Sequence, residues 1–139
     1  MRLLAFLPLL LGVTDIARET SLEAGLRSAI AASGADVAVA FRTLEKLAQG
    51  KAVGQKADHS MIEILERQKF NDAIPAGLPA GTVVAHKTGS ITRINHDAGV
   101  VFARRPYVLV LLVRGIQEEK QSAALMARLS KAVYDSSQR

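Results

Sequence analysis

The chain has 139 residues, 49% of them hydrophobic and 22% charged, with a formal net charge of +5. That length suits one compact domain with a real core, and the composition is that of a globular protein. There is no cysteine, which excludes disulfides, thiolate zinc sites and a cysteine nucleophile. Aromatics make up 4%, and the cations are scattered apart from the pair Arg104-Arg105. No basic stripe interleaved with aromatics marks a nucleic-acid surface, so no nucleic-acid partner is expected.

The amino terminus opens with Met1-Arg2 and an apolar run from Leu3 to Val13, broken only by Pro8. Two readings stand: a signal-like segment without an A-x-A cleavage pattern, or a buried helix of the domain. The run is too short to span a membrane. Thr20-Ser21-Leu22-Glu23 has capping-box spacing and opens a helix that Ser33-Gly34 ends. Asp15, Glu19 and Glu23 recur four apart and make a solvated helix face. Residues 1–35 are thus expected to form an N-terminal apolar and helical segment, distinct from residues 36–139.

Asp36 caps a second helix, with Val37, Phe41, Leu44 and Ala48 on one face and Gly50 as its stop. Ser60-Met61-Ile62-Glu63 reads as another capping box, opening a third helix through about Lys69. Phe70 to Gly81 is irregular, because Pro75, Gly77, Pro79 and Gly81 follow one another closely. The apolar period then changes to two. Thr82 to Ala85 is a strand, Ala98 to Phe102 a second, and Tyr107 to Val113 a continuous apolar third. Arg104-Arg105 before Pro106 makes an exposed turn. Gln117 to Ser136 is a last helix, with Leu125, Leu129, Ala132 and Val133 as its apolar stripe. The expected fold class is α+β: an antiparallel sheet of at least three strands, flanked by helices. Such a small sheet has two open edges, and further strands should cover one of them.

The chemistry concentrates in Lys87-Thr88-Gly89-Ser90, at the end of an apolar strand. Lys87 places an ammonium where it attracts a carboxylate or lowers the pKa of a nearby hydroxyl. Thr88 adds a hydroxyl. Gly89 has no Cβ, so a flat ligand can lie against the backbone. The Ser90 N–H then supplies one donor of an oxyanion hole. Other candidates are weaker. His86 and His96 flank a hairpin, where a two-histidine metal site competes with the commoner hydrogen-bonded histidine. Asp97 reads as a turn or capping residue rather than a general base. No metal and no cofactor is expected.

From about Asp36 to the C terminus the chain resembles the C-terminal half of class A β-lactamases and their penicillin-binding relatives. The residues that carry this are Gln68 to Pro79, His86-Lys87-Thr88-Gly89-Ser90, Asn95-His96-Asp97-Ala98-Gly99-Val100-Val101, Tyr107 to Arg114, and Glu118 to Tyr134. The resemblance implies a partial β-lactamase/transpeptidase-like fold over 36–139. It implies an acyl-serine hydrolase of β-lactam rings or peptidoglycan stem peptides, acting outside the cytoplasmic membrane. Lys87 would be the catalytic lysine that supports proton transfer. Thr88, Gly89 and Ser90 would bind substrate, and Arg93 would add charge near the same carboxylate.

The chain also departs from that family. None of its serines is followed by lysine three residues later, and Ser-Asp-Asn is absent. No segment before residue 60 matches the loop whose Glu activates the deacylating water. Without an activated nucleophile, no residue of this chain can carry the covalent step. The sequence therefore supports a substrate-binding half that is inactive alone and complemented by the missing half. A non-catalytic binding or self-associating module of the same family is the alternative.

Overall fold

The computed structural model describes residues 2–9 and 35–139. In chain order these form β1 (Arg2–Leu9), α1 (Ala35–Ala48), α2 (Gln55–Glu66), a 3-10 turn (Pro75–Gly77), β2 (Val83–Ile91), β3 (Ile94–Phe102), β4 (Tyr107–Arg114) and α3 (Glu119–Ser137). The sheet order is β1-β4-β3-β2. Strands β2, β3 and β4 make an antiparallel meander, and β1 lies parallel to β4. The architecture is α+β, as the change of period indicates.

The pleat sorts the side chains into two cores. On one face, Ala85, Val100, Val108 and Val110 pack against Leu44 and Leu47 of α1 and Ile62 of α2. On the other, Val84, Val101, Leu109, Leu111 and Val113 pack against Met126 of α3 and against Ala73 and Ile74. Strand β4 contributes to both cores, which is why its sequence is continuously apolar instead of alternating.

The amino-terminal run corrects an expectation. Arg2–Leu9 is a strand, not a helix. The physical reason is the neighbour: β4 is buried on both faces, and its outer backbone edge needs hydrogen-bond partners. The run supplies them, and so a strand from the chain itself covers one of the two open edges. Pro8, which cannot donate to a ladder, sits here in an edge strand. The helix expected over Thr20–Ser33 and the face of Asp15, Glu19 and Glu23 lie outside the described residues.

The third helix starts earlier than its capping box implied. Gly54, at φ 146, precedes its first turn, and the Asp58 N–H donates to Gly54 O at 2.9 Å. The buried Asp58 carboxylate accepts from Ala52 N–H at 2.8 Å and Val53 N–H at 3.0 Å, tying the preceding loop to the helix. Ser60 is mid-helix, and its hydroxyl donates back to Lys56 O at 3.1 Å. The helix ends at Glu66 rather than Lys69. Strands β2 and β3 are longer than the apolar patterns that mark them, because pairing carries them on to a two-residue turn, Thr92-Arg93. Arg104 and Arg105 are exposed in a bend, as expected, and are bonded to the end of the chain: Arg104 Nη2 donates to Gln138 O at 2.6 Å, and Gln138 Nε2 donates to Arg105 O at 3.0 Å. This clasp ties the end of α3 to the β3–β4 connection.

One buried group is unpaired. The Tyr107 hydroxyl has no hydrogen-bond partner among the described residues, and the side chain is 1% exposed. Burial, with Tyr134 nearby, pushes its phenol well above the usual tyrosine range. A buried hydroxyl without a partner costs its desolvation and returns nothing. Tyr107→Phe should therefore raise stability by about 1 kcal/mol, read from the urea midpoint at unchanged m value. A loss of stability would mean that the hydroxyl has a partner.

Candidate active site

Strand β2 is the outer edge of the sheet on the side away from β1, so among the described residues alternate backbone groups along it have no strand partner. Its carboxyl half, Lys87 to Ser90, borders a cleft of about 440 Å³. The opposite wall comes from Phe70, Asp72 and Ala73, and the floor from Ala123 and Met126 of α3. Lys87-Thr88-Gly89-Ser90 is thus placed together along one wall of a concave surface.

Each of these residues has a distinct environment. Lys87 is exposed, and its ammonium donates to the neighbouring Thr88 carbonyl. Thr88 is half-buried. The Ser90 hydroxyl donates to Asn95 Oδ1 at 2.6 Å, and Asn95 Nδ2 donates to Ser122 Oγ at 3.1 Å. That bond commits the Ser90 side chain to the sheet and to α3, so the group it can offer a ligand is its backbone. Arg93 sits at the hairpin tip at φ 59, with its guanidinium donating to Gly115 O at 3.3 Å. It is not among the residues that line the cleft.

Gly89 carries the clearest geometric sign. A Cβ built there would meet nothing within 4 Å, and its φ is not in the left-handed region. Neither neighbouring atoms nor backbone conformation requires glycine at this position. Gly99, one strand over, is the contrast: a Cβ there would lie 2.5 Å from His86 Cβ and 2.7 Å from Ala85 O.

The two histidines do not meet. His86 stands opposite Gly99 and His96 opposite Gly89, on opposite faces of the sheet. His96 Nδ1–H donates to Asn95 O at 2.8 Å. Among the described residues no cluster of three His, Asp or Glu could hold a metal ion. Asp97 corrects the reading of it as a turn residue. It lies inside β3 opposite Thr88 and is 0% exposed. Its carboxylate takes a bond from His86 Nδ1 at 2.8 Å and one from Ile74 N–H at 3.0 Å. The sequence shows only an Asp ahead of an apolar strand; His86 eleven residues earlier was the available signal for a cross-strand partner.

The fold is a three-layer α+β sandwich whose edge strand carries Lys-Thr-Gly beside a cleft. The beta-lactamase enzyme family model matches residues 13–137, and the chain belongs to that family. A β-lactamase of Bacteroides uniformis is 37% identical over 68 residues, which cover 42% of this chain and 23% of that protein. The solved structure of PBP-A superposes with a TM-score of 0.65 at 28% identity, covering 69% of this chain and 37% of that one. A class A β-lactamase of Bacteroides cellulosilyticus DSM 14838 gives 0.61 at 27% identity, covering 68% and 38%. The chain therefore spans about a quarter of the curated relative and under two fifths of these two structures. No helix among the described residues is long and apolar enough to cross a membrane.

Two glycine substitutions should separate packing from ligand access. Gly99→Ala should cost about 2–3 kcal/mol in denaturant unfolding, because backbone and a buried ring must move. Gly89→Ala should leave stability within about 0.5 kcal/mol of the parent chain. A large loss at Gly89 would show a steric need for glycine there.

Proposed function

We propose that this chain is the substrate-binding part of a β-lactamase-like serine hydrolase and is not itself a complete catalyst. The observation that carries the reading is Gly89: an unobstructed glycine on an edge strand, between Thr88 and Ser90, at the wall of a cleft. Such a position leaves room for a flat acyl group against the strand. The ligand class is a β-lactam or a peptidoglycan stem peptide. A variant of PBP-A has been solved as an acyl-enzyme complex with penicillin G, which supports that chemistry for a relative.

In this reading Lys87 attracts the ligand carboxylate and supports proton transfer, and Thr88 donates a hydrogen bond to that carboxylate. The Ser90 N–H polarises the scissile carbonyl, as one donor of an oxyanion hole. Arg93, at the hairpin tip with one guanidinium N–H donated to Gly115 O, would add positive charge near the same carboxylate. The nucleophile must come from elsewhere, because no serine here has a lysine three residues on. The missing half would complement this chain, and the place of action would be outside the cytoplasmic membrane.

A non-catalytic, self-associating module is the second reading, favoured by the unpaired edge of β2. Lys87 opposes it: two copies paired antiparallel about the middle of β2 would set two ammonium groups opposite each other.

Incubation of the purified chain with excess benzylpenicillin should leave its intact mass unchanged, because acylation needs an activated nucleophile. A stoichiometric adduct would place a working nucleophile on this chain and overturn the half-enzyme reading.

A further inference from the structure

Resting on the reading of the cleft as a ligand site, we propose that His86 and Asp97 are positioning residues. With Asn71 they tie strand β2 to the cleft wall at Phe70–Ala73, and they set the distance between the two walls without touching ligand.

Both side chains are nearly inaccessible, His86 at 1% and Asp97 at 0% exposure. Neither lines the cleft, although Lys87 and Thr88 beside His86, and His96 beside Asp97, all do. The ring of His86 is bonded at both ends: Nδ1 to Asp97 Oδ1 at 2.8 Å and Nε2 to Asn71 Oδ1 at 3.1 Å. The second oxygen of Asp97 accepts from Ile74 N–H at 3.0 Å. Ile74 O in turn accepts from Ser130 Oγ of α3 at 2.8 Å. The segment carrying Asp72 and Ala73 is therefore held at Asn71 and at Ile74, on both sides, by one histidine–aspartate pair. Gly99 leaves the space over which the His86 side chain passes.

Asn71 Nδ2 donates to Gln68 O at 3.0 Å, which turns Asn71 Oδ1 toward His86 as an acceptor. Asp97 Oδ1 is also an acceptor. Both ring nitrogens of His86 thus face side-chain oxygens, one on Asp97 and one on Asn71. Loss of the bond between His86 and Asn71 removes the direct side-chain tie of the wall to β2 and leaves the wall held at Ile74.

The test uses the full chain and benzylpenicillin, with binding read from the Gly89 and Ser90 amide shifts. Asn71 is exposed and outside the cleft lining. Asn71→Ala should keep the thermal midpoint within about 3 °C. It should weaken benzylpenicillin binding about threefold to tenfold, as expected for one lost hydrogen bond at the wall. Asn71→Asp, which retains an acceptor, should restore the affinity, a rescue that a merely stabilising role would not give. Unchanged affinity in Asn71→Ala overturns the positioning role while leaving the ligand site intact. No benzylpenicillin response in the parent chain overturns the ligand site itself, and the positioning role with it.

Discussion

The continuous burial of β4 is the constraint from which the rest of the fold follows. Tyr107 to Val113 alternates between two cores, and neither face can be left to water. A sheet with such a strand at its centre requires helices on both sides, which α1 and α2 supply on one face and α3 on the other. It also requires a neighbour on each backbone edge of β4. β3 provides one and β1 the other. Among the described residues β2 is thereby left as the other edge of the sheet, and the Lys-Thr-Gly segment lies on it.

Within that frame, Asp97 links the parts that hydrophobic packing cannot align. Apolar contacts are non-directional, and they permit the Phe70–Pro79 segment to sit at several heights against α3 and the sheet. Directional bonds select one. Asp97 accepts from Ile74 N–H of that segment and from His86 of β2, and Ser130 donates to Ile74 O. Gly77 makes the fit close at the far end, where a Cβ would stand 2.0 Å from Ala127 O of α3. A segment rich in Pro and Gly is thus held as firmly as a regular element, and it can serve as a cleft wall.

Much of this was legible in the sequence. The change from a 3.6 to a 2.0 period at Thr82 marks where helices give way to the sheet. The Pro and Gly spacing marks the irregular wall, and Lys87-Thr88-Gly89-Ser90 marks the cleft. What local pattern missed has a common cause: each case depends on a partner distant in sequence. The amino-terminal run reads as helix or signal because its ladder partner, β4, is about a hundred residues away. Ser60-Glu63 has the spacing of a cap, yet the buried Asp58 and its loop bonds decide where that helix begins. Asp97 looks like a turn residue until His86 is set beside it by the register of β2 and β3.

The open edge of β2 carries its own balance of forces. Val83 and Ile91, at its two ends, are exposed apolar residues, and such an edge invites pairing with another chain. Lys87 stands midway between them and keeps a hydrated charge on the same edge, which raises the cost of pairing with a copy of itself. An acidic or carboxylate-bearing ligand meets the opposite balance, because it gains from the same ammonium. Gly89, two residues on, then leaves the backbone open to close approach. On the proposed reading, a lysine and a glycine at this spacing on an edge strand would discriminate between two kinds of extended partner: they would disfavour a second β2 and favour a small anionic ligand laid along the strand.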